Sequence, residues 1–359
     1  MRIDVMMPAF NAARTIVSSI ASLQRQTHAD IRILVVDDGS TDATSEILAR
    51  LARDDGRVVV FRQENTGIVG ARNAALRQAT SPYVAQLDAD DLSDPDHIER
   101  LAAHLDRHPG CVAVSGSARQ IDADGLPIDA VSRFGPPGAA DPGVTPAREP
   151  VMMPFCLWRR DALVAVGGYR EVGIGEDCDL AWRLLAHGDV TNLDDIVGSY
   201  RVHDSATGSS LANGRMFAVC TQLVALSASR RERGRADLRF EAQAIRRLRS
   251  AGTLDAMVEL RVPDLEPGEV GPLRLRIAAK MLQWCEWRER LPERTDILFM
   301  RRAFRHRPGA TPQAGRETRR LRAVIGARLL RGGQFADAVT FLPGSLIPEV
   351  GARTILGRC

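Results

Sequence analysis

Two runs of carboxylates stand out in the first hundred residues of this 359-residue chain: Asp37-Asp38-Gly39-Ser40-Thr41-Asp42 and Asp88-Ala89-Asp90-Asp91. Carboxylates crowded at one place repel one another unless a cation neutralises them, and a hard divalent ion with oxygen ligands suits that purpose. Asp88 and Asp90 therefore read as a metal site for a diphosphate, their side chains sharing a direction in an extended segment. Taken alone, an Asp-x-Asp is more often turn and helix-cap chemistry. Gly39 through Asp42 are likewise explained as turn and N-cap signals, which leaves Asp38 without an account. A third acidic run, Glu176-Asp177-Cys178-Asp179, opens a helical pattern. Carboxylates there complement a helix N-terminus by about 0.3 to 1 kcal/mol; they also offer a base that can take a proton from a hydroxyl.

The elements that must position these groups follow a βαβ rhythm, which implies an α/β fold with a mainly parallel central sheet flanked by helices. Strands are expected at Ile3 to Met7, Ile31 to Val36, Val58 to Phe61, Tyr83 to Leu87 and Val112 to Ser115. Helices are expected over Thr15 to Gln24 and Thr44 to Leu51, and after Asp94-Pro95 with Ile98, Leu101 and Leu105 on the buried face. In such sheets ligands bind beyond the carboxyl ends of the strands, where both early acidic runs fall. From Gly116 to about Pro150 the chain is rich in Gly, Pro and Asp, and a long irregular excursion is expected. Order resumes at Met153 to Trp158, followed by a helix from Arg160, a turn at Gly167-Gly168-Tyr169 and a helix from Glu176 to His187. A short extended stretch ends at Tyr200-Arg201-Val202-His203. Beyond it the pattern is helical, including Phe217 to Ser229, Leu273 to Arg288 and Glu317 to Arg331. The expected division is a first domain over 1–205 and a mostly helical C-terminal region over 206–359.

Four segments in order resemble a family 2 glycosyltransferase. They are Met7-Pro8-Ala9-Phe10-Asn11, Val36 through Asp42, Asn65-Thr66-Gly67 with Ala71-Arg72-Asn73, and Leu87 through Asp91. The resemblance covers roughly residues 1 to 205 and implies a GT-A fold and an inverting transfer from a nucleotide-diphosphate sugar. A UDP-sugar is its commonest implication. Carried over, Pro8, Ala9 and Phe10 line the base pocket, Asp38 bonds the base or ribose, and Gly67 and Arg72 shape the pocket wall. Asp88 and Asp90 hold the diphosphate and a Mn²⁺ or Mg²⁺ ion. Arg72 has an equal claim to be a structural partner of the aspartates. Gly175 through Leu184 resembles the family's Glu-Asp segment facing the donor sugar and makes Asp177 the candidate base. Tyr200-Arg201-Val202-His203 resembles a late segment whose histidine approaches the metal, so His203 joins Asp88 and Asp90 as a candidate ligand. Phe155, Trp158 and Trp182 are expected to pack in the core rather than stack on a sugar.

Composition narrows the partners. A net charge of +3 and pI near 8.6 give no concentrated basic footprint, so nucleic acid is not expected. The basic charge is nearly all arginine, with Lys280 the only lysine. Six cysteines without a CxxC pair suggest neither a zinc ribbon nor a disulfide framework, and fit reduced thiols in a cytoplasm. Apolar runs are too short for a membrane span. The basic pattern from Arg319 to Arg331 suits either peripheral contact with the inner face of an anionic membrane or an amphipathic helix packed on the catalytic domain. The expected function is a metal-dependent, hexosyltransferase-type transfer to a saccharide or lipid-linked hydroxyl, as in cell-surface polysaccharide synthesis. The alternatives are a nucleotidyltransferase and a noncatalytic nucleotide-sugar or polysaccharide-binding module.

Overall fold

The structure is a computed structural model that describes residues 1–132, 153–202, 210–305, 312–346 and 350. These divide into two compact units. The first takes in residues up to 132, 153–171 and 176–202, and the second 172–175 and the chain from 210 onward.

The first unit runs β1 (Ile3–Ala9), α1 (Ile16–Gln24), β2 (Ile31–Asp37), α2 (Thr44–Asp54), β3 (Val58–Arg62), α3 (Gly67–Gln78), β4 (Tyr83–Gln86), β5 (Leu92–Ser93), α4 (His97–Arg107), β6 (Cys111–Ile121), β7 (Pro127–Ser132), β8 (Leu157–Arg159), α5 (Arg160–Ala165), α6 (Glu176–Leu184) and β9 (Asp189–Arg201). The strands form one sheet of order β3-β2-β1-β4-β8-β6-β9-β5, with β7 paired to β6. β3, β2, β1 and β4 are mutually parallel, β8 runs antiparallel between β4 and β6, and β6 and β9 are parallel. This is the GT-A architecture, a mostly parallel sheet flanked by helices.

β1 is buried along its whole length, because helices cover both faces of a parallel sheet and its strands then read as continuous apolar runs. One core holds Val5 and Met7 with Ile16, Ile20 and Leu101. The other holds Met6 and Leu34 with Ala71, Ala75, Trp158 and Tyr169. Phe155 and Trp158 are fully buried, and Trp182 is half-buried.

The structure corrects several expectations. Residues 116–132 of the expected excursion are not irregular: β6 continues to Ile121, and the turn Asp122-Ala123-Asp124-Gly125 leads into β7, while 133–150 lie outside the described residues. Gly116 is required there, since a Cβ would lie 2.7 Å from the Asp195 carbonyl on β9. α3 was not expected, because Gly67, Gly70, Ala71 and Ala75 give no large apolar period; small residues instead let it sit close to the sheet. The last extended stretch is the 13-residue strand β9.

The second unit contains α7 (Leu211–Glu232), α8 (Ala242–Ser250), α9 (Leu254–Glu259), α10 (Pro267–Trp287), α11 (Arg294–Arg305), α12 (Pro312–Arg331) and α13 (Phe335–Phe341). α7 and α10 pack along each other, with Gly214 against the Trp284 ring and the Lys280 ammonium 4.8 Å from the Phe217 ring centroid. Gly214 has no alternative, since a Cβ would meet the indole at 2.6 Å. Leu321 through Ala327 of α12 are buried, Arg322 among them. The apolar face of the basic helix thus lies inside this helical unit's own core, not on the catalytic domain as one expectation had it. Among the described residues no helix is long and apolar enough to cross a membrane. Cys111, Cys156, Cys178, Cys220 and Cys285 are buried thiols outside any disulfide.

Candidate active site

The loops after β1 and β2 are stitched together. Asn11, in the left-handed region with φ +50, accepts the Thr41 N–H at 2.8 Å and donates its own N–H to the Ser40 hydroxyl at 3.0 Å. Ala12 N–H reaches Thr44 Oγ1 at 2.8 Å, and Asp42 accepts from both Ala13 and Thr44 N–H. Short polar side chains bonding nearby backbone explain this loop without a ligand. Pro8 and Ala9 are buried at the end of β1, while Phe10 is half exposed beside them.

Asp38 is buried and saturated. Its Oδ1 accepts from Gln63 Nε2 at 2.7 Å, Thr66 N–H at 2.9 Å and Thr66 Oγ1 at 3.2 Å; its Oδ2 accepts from Gly67 N–H at 2.8 Å. The carboxylate therefore caps the start of α3, where N–H groups have no helical partner. That is the account its sequence position leaves open. Gly67 follows with φ +79.

The acidic segment after β4 is a turn, not the extended run expected: Asp91 N–H returns to the Asp88 carbonyl at 3.2 Å. The side chains still alternate, Asp88 and Asp90 half-buried and Ala89 and Asp91 buried. The backbone is pinned from several sides. Ser19 of α1 donates to the Ala89 carbonyl at 2.9 Å, and Arg201 Nε donates to the Asp90 carbonyl at 2.7 Å. Arg201 N–H donates to Asp91 Oδ1 at 2.8 Å, and Ser93 N–H to Ser22 Oγ at 3.0 Å. Burial pushes the Asp91 carboxyl well up, with the charges of Asp90 and Asp88 adding to it.

Arg72 joins this turn to α6. It is buried, with Nη1 2.7 Å from Glu176 Oε1 and Nη2 3.3 Å from Asp88 Oδ1. Its guanidinium lies 5.4 Å from the centroid of the Tyr169 ring. Burial works against its charge, but the fields of Asp88, Tyr169, Glu176 and Asp177 outweigh that and hold its pKa above the ordinary value. Asp88, Glu176 and Asp177 thus share one electrostatic neighbourhood. Asp177 is half-buried in the first turn of α6. Asp179, next on the helix, is sealed and held by Arg170 and by Arg183 Nε at 2.8 Å, so its role is structural.

Asp88 and Asp90 present oxygen donors on a fixed turn, a set that fits a hard divalent cation of the Mg²⁺ type, which takes one or two carboxylates and completes its shell with phosphates and water. Among the described residues no group of three or more His, Cys, Asp or Glu could hold a metal, so the substrate would complete the shell. His203 lies outside the described residues. Gln86, Tyr169 and Arg201 were not singled out as site residues from sequence. A buried glutamine two residues before the acidic pair is the signal that could have found the first of them.

The sheet order and its flanking helices are those of the GT-A glycosyltransferase fold, with Asp38, Asp88 and Asp90 just beyond the ends of β2 and β4. Residues 4–165 match the family model described as Glycosyl transferase family 2. The chain is 34% identical over 123 residues to a chondroitin synthase of Escherichia coli, covering 34% of this chain and 18% of that one. The chain spans between 18% and 33% of the length of the first curated relatives it matches. Among solved structures, S. aureus TarS residues 1–349 in complex with UDP-GlcNAc superposes with a TM-score of 0.52 at 17% identity, covering 100% of this chain and 93% of that one. The mannosyltransferase PcManGT from Pyrobaculum calidifontis, in complex with GDP-Man and Mn²⁺, gives 0.50 at 17% identity, over 99% and 88%.

Proposed function

We propose that this chain is an inverting, metal-dependent glycosyltransferase that moves a sugar from a UDP-sugar to a hydroxyl of a saccharide or lipid-linked acceptor in polysaccharide synthesis. The observation that carries this reading is the Arg72 bridge, which links Asp88 to Glu176 and feels the charge of Asp177. It gathers carboxylates from two separate segments of the chain into one place. The match of residues 4–165 to the family model and the nucleotide-sugar complexes of fold relatives support it.

Pro8, Ala9 and Phe10 would line the base pocket, with the exposed Phe10 ring available for stacking. Two of the four donors on Asp38, the Gln63 amide and the Thr66 hydroxyl, are side chains that a ribose or base could replace while the backbone N–H groups stay. Gly67 and Arg72 would form the wall, and Asp88 and Asp90, with His203 as a further candidate, would hold a Mn²⁺ or Mg²⁺ ion. When bound, that ion offsets the negative charge of the leaving diphosphate. Asp177 would accept the acceptor hydroxyl's proton as that oxygen bonds to the anomeric carbon, while the bond from that carbon to the diphosphate breaks and UDP leaves with the electron pair.

The test is incubation with UDP-sugars, acceptor saccharides and Mn²⁺, measuring nucleotide diphosphate and pyrophosphate. UDP release is expected. Pyrophosphate turnover would instead indicate a nucleotidyltransferase, and binding without any release a noncatalytic module. Asp177→Asn is expected to bind UDP as the parent does and to lose transfer by roughly 100-fold or more; unchanged turnover would reject it as the base.

A further inference from the structure

Two buried polar side chains beside the acidic turn are unused by the reading above. Gln86, fully buried at the end of β4, donates from Nε2 to Asp88 Oδ1 at 3.2 Å. Its Oε1 accepts the Tyr169 hydroxyl at 2.6 Å. Gln86 and Asp88 are two residues apart, and the strand ends between them.

The bonding order has only one consistent polarity. A carboxylate only accepts, so the amide must turn its NH₂ toward Asp88, which leaves its carbonyl oxygen facing the phenol. A phenol donates only while protonated, and burial pushes the Tyr169 hydroxyl's pKa up, with the nearby Arg72 charge opposing but not cancelling this. The hydroxyl therefore fixes which way the amide points. Without it, a half-turn of the amide would set a carbonyl oxygen against the Asp88 carboxylate.

Tyr169 is itself held rigidly. Its N–H donates to Asn73 Oδ1 at 2.9 Å, and its carbonyl accepts Asn73 Nδ2 at 2.9 Å. Gly167 and Gly168 carry φ of +77 and +69 to bring it there. Its ring also underlies Arg72, the other partner of Asp88. The phenol thus acts on Asp88 through both neighbours of that carboxylate, the amide and the guanidinium.

We propose that Tyr169 and Gln86 are positioning residues that orient the Asp88 carboxylate for the metal-bound diphosphate of the donor. This rests on the function proposed above. Partners of ligating carboxylates fix the direction of their lone pairs, and their loss typically costs roughly 10-fold to 100-fold in metal affinity or activity. Tyr169→Phe keeps the ring under Arg72 and removes only the hydroxyl; Gln86→Leu removes the same link from its other end.

The experiment is calorimetric titration of the full chain with UDP across a Mn²⁺ series and in EDTA, for the parent, both single variants and the double variant. In Mn²⁺ each single variant is expected to bind UDP roughly 10-fold more weakly. The double should lose no more than the worse single, because one chain of bonds is broken in each case. In EDTA all four should bind alike. Gln86→Leu gives the same reading should Tyr169→Phe fold poorly. Singles that match the parent, losses that multiply in the double, or equal losses in EDTA would overturn the assignment while the proposed function stands. A parent that binds no UDP with any metal would remove both.

Discussion

Asp38 has a structural task that the hydrogen bonds show and, in the function proposed above, a recognition task as well. It neutralises the exposed N–H groups of Thr66 and Gly67 at the start of α3 and keeps two replaceable side-chain donors. Asp38→Ala is expected to cost roughly 1 to 2 kcal/mol, as loss of a helix cap does, and to weaken UDP binding; urea unfolding and calorimetry check the two effects separately. His97 makes a different prediction. It is fully buried between Ser93 Oγ at 2.8 Å and the Phe155 carbonyl at 3.1 Å. Burial lowers its pKa from 6.5 to about 4, against the opposing pull of the Phe155 carbonyl, Asp94 and Asp96. Above pH 6.5 both folded and unfolded chains hold it neutral. As the pH falls from 6.5 toward 4 only the unfolded chain gains the proton, so folding loses roughly 3 kcal/mol across that window. Urea midpoints at pH 7 and pH 5 should separate in the parent, and the separation should shrink in His97→Gln.

Among the elements, the turn from Gly167 to Tyr169 does more than connect α5 to α6. A Cβ on Gly168 would lie 2.6 Å from Asn73 Oδ1, the atom that anchors Tyr169. Gly168→Ala is therefore expected to cost more than about 1 to 2 kcal/mol, from the left-handed backbone alone, and to weaken Mn²⁺-dependent UDP binding as Tyr169 shifts. Parent-like unfolding in urea would show that α3 yields to it. β1, β2 and β4 were legible because burial on both faces writes them as continuous apolar runs, whereas the mostly exposed β7 was not. The acidic turn was found by its residues but not by its shape, since the Asp91-to-Asp88 bond that closes it leaves no trace in composition. α3 was missed for the opposite reason, its close packing being written in glycine and alanine rather than in large apolar residues. Gln86 and Tyr169 lie 83 positions apart in sequence. Nothing local to either announces a bond that only the sheet's folding creates.

At the scale of the whole molecule, each unit has its own core, and the helical one is organised round a buried ion pair. Arg215 of α7 meets Asp296 of α11 through Nε at 2.8 Å and Nη2 at 2.9 Å, and also reaches Glu293 and the Gly252 carbonyl. Removing one partner strands a buried charge, so Asp296→Ala is expected to destabilise this unit by about 3 to 5 kcal/mol. Hydrogen exchange should show protection lost across α7 to α13 while the β1 and β2 amides keep theirs; uniform loss in both would mean the units unfold as one. Lys280, pressed against the Phe217 ring and 7% exposed, has a practical consequence. It is the only lysine in this sequence, so an amine-directed dye ester meets no exposed lysine on the surface. Lys280 would take up the dye only as α7 and α10 part, which makes its labelling a read-out of how often that helix pair opens.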